Sequence, residues 1–80
     1  MKTANHRALF DFKPKEKGTI VAFTDDRIAC KMMMMGVRPG ATLEFVRRAP
    51  FRGGCYIKAG NAAFALRRKE AECILLETKV

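Results

Sequence analysis

The chain has 80 residues and a net charge of +8, from sixteen lysines and arginines against eight acids. Its hydrophobic fraction of 49% is that of a folded chain, since disordered chains carry too little apolar matter to bury. The length allows one domain with a small core and excludes eight-fold barrels, which need roughly 250 residues, and full dinucleotide-binding folds.

Residues 1–8 show no apolar periodicity and are expected to be a flexible N-terminal tail, with His6 solvated in it. The first twelve residues hold no continuous apolar run. No secretion signal is therefore expected, and no window approaches the ~18 apolar residues of a membrane span. A cytoplasmic location follows as the expectation.

Leu9, Phe10 and Phe12 form a short apolar cluster before a charged turn at Lys13-Pro14-Lys15-Glu16-Lys17. Gly18 to Phe23 is β-branched and aromatic and predicts a first strand. Thr24-Asp25-Asp26 supplies capping oxygens for a helix over 25–35, and Gly36 supplies its stop. Arg38-Pro39-Gly40 has the chemistry of a type II turn.

The second strand spans 41–48, with Leu43 and Phe45 on one face and Glu44, Val46 and Arg48 on the other. A loop over 49–54 leads to a third strand at 55–59. Gly60-Asn61 signals a tight hairpin into a fourth strand at 62–67. Lys69-Glu70-Ala71 reads as a single turn, and Glu72 to Glu77 as a fifth strand. The expected fold is mainly β: a small five-stranded barrel with one α-helix inserted after the first strand. The single domain spans 9–77, with a C-terminal tail at 78–80.

The run Met32-Met33-Met34-Met35 is the most unusual feature. At about 100° per residue, Met32 and Met35 join Ile28 in one stripe, assigned to the core. Cys30, Met33 and Met34 fall on the opposite side. A small barrel cannot bury both faces of one helix, so the second face is expected to meet a partner, for which the adaptable thioether is suited. Half-exposed spacers and a soft copper(I) site are the alternatives, the latter lacking a second soft cluster. Phe51 and Arg52 of the neighbouring loop complete the candidate partner-binding set.

Cys30, Cys55 and Cys73 are an odd number and form no C-x-x-C motif. Reduced thiols packed as small hydrophobes are the expectation, and one disulfide the alternative. No nucleophile has a nearby base, and there is no phosphate cradle, so no enzyme, no cofactor and no metal site are expected. Basic clusters at Arg47, Arg48 and Arg52, and at Arg67, Arg68 and Lys69, raise a runner-up reading. In it, a basic barrel binds single-stranded nucleic acid, with Tyr56 and Phe51 as stacking candidates.

The segment Met35-Gly36-Val37-Arg38-Pro39-Gly40-Ala41 resembles the helix end and turn of the FeoA family, the small cytosolic component of bacterial ferrous iron uptake. Leu43, Phe45, Val46, Arg47, Arg48, Ala49 and Pro50 continue the likeness. So do Gly60-Asn61, Phe64-Ala65-Leu66-Arg67, Glu70-Ala71 and Ile74. The resemblance covers residues 9–77 and implies an SH3-like barrel that acts as an accessory module, not a catalyst. Its implied partner is the FeoB-type transporter with its cytosolic G-protein domain. The family is also associated with transition-metal binding, although no ligand set for Fe²⁺ is visible. A second copy of the chain is the other occupant open to the methionine face.

Two positions depart from the family pattern. Lys15 stands where glycine is common, so the turn before the first strand is open to another shape. Met34 stands where the family often has an acid, which changes the outward face of the helix.

Overall fold

A computed structural model describes residues 5–78. In chain order it contains β1 (Asn5–Ala8), β2 (Lys17–Phe23), α1 (Asp26–Met34), β3 (Thr42–Arg48), β4 (Gly54–Ala59), β5 (Ala62–Arg67), α2 (Arg68–Glu72) and β6 (Ile74–Thr78). Short 3₁₀ turns occupy Leu9–Asp11 and Pro50–Arg52. The strands form one antiparallel sheet in the order β1-β6-β2-β3-β4-β5. The sheet curls around one core without closing, so β1 and β5 are its edges.

The sheet has six strands, not the expected five, because part of the expected tail is a strand. Asn5 to Ala8 pair with Thr78 to Leu75 of β6. Arg7 holds this strand down: its guanidinium makes two 3.0 Å hydrogen bonds to the Glu16 carboxylate, and lies 4.5 Å above the Phe12 ring. His6 is therefore an exposed strand residue opposite Glu77, not a tail residue. At the other end Thr78 belongs to β6. Residues 1–4 and 79–80 of the expected tails lie outside the described residues.

The helix follows its sequence signals closely. Asp25 is the N-cap, its Oδ1 accepting from the N–H groups of Arg27 at 2.8 Å and Ile28 at 3.2 Å. At the other end Gly36 takes φ +88°. The Val37 N–H then reaches the Met32 carbonyl, and the Gly36 N–H the Met33 carbonyl, which is a Schellman closure. Val37 and Met32 both end in the core. The Pro39-Gly40 turn forms as expected, with Gly40 at φ +95° and Ala41 N–H donating to Arg38 O. The turn before β2 keeps the left-handed shape even without glycine: Lys15 itself takes φ +75°.

The core gathers Leu9, Phe12, Ile20, Met32, Leu43, Phe45, Ile57, Ile74 and Leu76, all essentially without exposed surface. One strand phase differs from expectation. A bulge between Phe45 and Arg47 shifts the β3–β4 register. Arg47, instead of Val46, then lies opposite Tyr56, and Arg48 lies opposite Cys55. Arg48 thereby swings back to donate to the carbonyls of Phe10 at 2.6 Å and Phe12 at 3.1 Å.

The expected single turn at 69–71 is the five-residue helix α2, which seats Glu70 and Ala71 inside. Glu70 ties the two helices together. Its Oε2 accepts from Lys31 of α1, and its Oε1 accepts from the Arg67 N–H at 2.9 Å. Burial pushes its carboxyl up, but the Lys31 hydrogen bond and the Arg67 N–H outweigh this and leave it below the ordinary carboxylate value. Glu70→Gln is expected to cost about 2 kcal/mol at neutral pH, in line with charge-assisted hydrogen bonds to a buried group. The folded pKa is lowered. The charge-dependent share of the stability is therefore complete above the unfolded carboxylate value and lost as pH falls through the folded one. Urea titrations of parent and variant should converge on acidification; a gap independent of pH would refute the assignment.

Candidate docking surface

Helical periodicity divides α1 as its sequence implies. Met32 is buried, and Ile28 and Met35 pack against the core from partly buried positions. Cys30 is exposed, as are Met33 at 45% and Met34 at 83%. Phe51 is fully exposed and sits at φ +60°, a left-handed conformation that is strained for a bulky side chain. The side chain of Arg52, in the same turn, lies outside the described residues.

These residues occupy two separate places. The helix leaves β2 at its Phe23 end, whereas β3 runs antiparallel to β2 and carries the 50–52 turn past the Lys17 end. Met33, Met34 and Cys30 therefore form one exposed feature, and Phe51 another.

The basic clusters are partly consumed by the fold. Arg48 and Arg68 both stack on the Phe10 ring, at 4.8 Å and 5.2 Å. Arg68 also donates to Glu72 at 2.9 Å. These cations clamp loops instead of offering a phosphate track. Arg47 differs: it lies 4.3 Å over the Tyr56 ring, with no ion pair among the described residues.

An open cleft of about 540 Å³ between β2, β3 and β6 is lined by Glu16, Thr19, Thr42 and Glu77 among others. Its Glu16 is spoken for: the Arg7 guanidinium and the Lys13 N–H hold its carboxyl down to about 2. No three His, Cys, Asp or Glu side chains among the described residues are grouped so as to hold a metal ion. The three thiols are free, and burial pushes that of Cys55 up to about 11, which leaves it an inert core group.

The fold and this surface define a small SH3-like β-domain with two exposed apolar features and no grouped metal ligands among the described residues. The chain belongs to the FeoA domain family, whose model matches residues 7–78. This is a family associated with ferrous iron transport.

Solved structures agree. An iron uptake regulatory protein, FeoA, superposes with a TM-score of 0.80 at 26% identity, over 91% of this chain and 97% of that one. FeoA of Stenotrophomonas maltophilia, an SH3 domain protein complexed with zinc, gives 0.74 at 23% identity, over 88% of each chain. A manganese-dependent transcriptional repressor gives 0.85 at 19% identity, where the match covers 98% of this chain but 44% of the repressor. The last two show the fold alone. No curated protein sequence matches the chain.

Proposed function

We propose that this chain is a cytosolic accessory module of bacterial ferrous iron uptake. It docks on a FeoB-type membrane transporter through Cys30, Met33 and Met34 of α1 and through Phe51 and Arg52. Membership of the FeoA family over residues 7–78 carries the role. No helix among the described residues is long and apolar enough to cross a membrane.

The surface is supported by energetics. Each of Met34 and Phe51 leaves a large apolar side chain in water, and covering one stabilises a complex by about 1.5–3 kcal/mol. The ordering cost is low on the helix, where the backbone is already fixed by Asp25 and Gly36. The left-handed Phe51 presents its ring outward at a backbone cost that packing within the domain does not return.

The test is a titration of the transporter's purified cytosolic domain with the parent chain and with the Met33→Glu/Met34→Glu double variant. Both positions are exposed, so the fold should survive, with a stability change within about 1 kcal/mol. Affinity should fall at least ten-fold. Unchanged affinity would remove the helix face from the docking surface, and no binding by the parent would remove the transporter contact altogether.

A further inference from the structure

The β5 edge of the sheet lies open. In the Gly60–Asn61 hairpin, Ala59 pairs with Ala62, Ile57 with Phe64 and Cys55 with Leu66. A two-residue loop makes its closing pair a hydrogen-bonded one, and such pairs alternate along the ladder. Ala62, Phe64 and Leu66 therefore turn their backbone groups to β4, while Ala63, Ala65 and Arg67 turn theirs outward. The Arg67 N–H meets the Glu70 carboxylate, as an outward donor should. Among the described residues, the N–H and C=O groups of Ala63 and Ala65 have no backbone partner beyond the ladder.

Several of the usual edge protections are missing among the described residues. β5 has no proline, no bulge against β4 over six continuous pairs, and no charge before Arg67. Ala62, Ala63 and Ala65 are all exposed, so nothing bulky covers the edge.

The surroundings select the occupant. On the outward face, Ala63 lies beside Lys58 and Ala65 beside Tyr56, which in turn lies beside Arg47. The short alanines leave the long side chains of β4 free to reach across β5, a step of about 4.8 Å per strand. Glu44 stands across from Lys58 but forms no ion pair with it. On the inward face, half-buried Phe64 borders the core.

We infer that the β5 edge accepts an extended segment of a partner protein as a seventh, added strand. This segment alternates acidic residues, facing Lys58 and Arg67, with apolar residues that cover Phe64. Main-chain bonds to Ala63 and Ala65 supply the docking, and the basic rows supply the choice of partner. A second copy of the chain fits less well, because it brings another +8 of charge to the same place. The inference concerns a surface separate from the helix face and stands whether or not that face binds a transporter.

The probe is an acetylated, amidated seven-residue peptide of alternating valine and glutamate, titrated into the full chain. Hydrogen exchange at the Ala63 and Ala65 amides should slow at least ten-fold at saturation. Affinity should fall at least ten-fold for Ala65→Pro, for Lys58→Glu, and for a peptide N-methylated where it donates to β5. Ala65→Pro removes an N–H with no ladder partner, so the fold should persist; the methylated peptide tests the same bond with no change to the protein. Equal binding of a valine–lysine peptide would overturn the proposal. So would binding without protection of those two amides, or their protection by dimer formation without peptide. Binding of a single-stranded RNA oligomer at this edge, with none of the peptide, would overturn it as well.

Discussion

Replacing Gly54 by alanine should abolish stable folding. Gly54 opens β4 at φ +147°, a region that L side chains rarely enter. A Cβ there would lie 1.9 Å from the Leu66 carbonyl oxygen and 3.0 Å from the Arg67 Cα. Both are backbone atoms of β5, so no side chain can swing aside; the hairpin itself must part. A cost of at least about 4 kcal/mol is expected, which consumes most of the stability of a domain this small, at the low end of the usual ~5–15 kcal/mol. Its neighbour is the control. A Cβ on Gly53 would meet only Pro50 O, at 3.4 Å, and Gly53 has an ordinary negative φ. Gly53→Ala should stay within about 0.5 kcal/mol of the parent. Urea unfolding of both variants decides, and a Gly54→Ala protein as stable as Gly53→Ala would show that the close approach is not there.

Phe12→Ala should be the next most damaging change, at about 3–5 kcal/mol. Phe12 is wholly buried, and its ring lies so close to Gly18 that a Cβ on that glycine would stand 3.0 Å from two ring carbons. Removing the ring leaves a cavity beneath Arg7, which now stacks on it at 4.5 Å. Phe10, two residues away, is only half-buried, with the guanidiniums of Arg48 and Arg68 stacked on its ring. Phe10→Ala should cost about 1–2 kcal/mol, since water replaces part of what is lost. Chemical denaturation of the pair checks this ordering, and equal losses would mean that Phe12 is not the core member of the cluster.

The contrast between these phenylalanines could not be read from the sequence, where Leu9, Phe10 and Phe12 form one apolar cluster. Alternation and capping chemistry are local and leave a local mark. That is why α1, the Pro39-Gly40 turn, the Gly60-Asn61 hairpin and the inward phase of Leu43, Ile57 and Ile74 were all legible. The outward position of Met33 and Met34 was legible for the same reason, helical periodicity being a property of nine consecutive residues. The bulge at β3 was not, because it depends on how Arg47 and Arg48 settle against Tyr56, Phe10 and Phe12 from other elements.

By itself, then, the sequence determined a single basic β-domain of FeoA type, the two faces of its one long helix, and the glycines that stop and turn the chain. Tertiary structure alone decided three things. Asn5–Ala8 became a strand because β6, at the far end of the chain, and Glu16 offered partners that no local pattern announces. Lys31 and Glu70 joined the two helices across thirty-nine positions. And β5 was left at the rim of the sheet, since strand order follows from the whole topology and not from any strand's own residues.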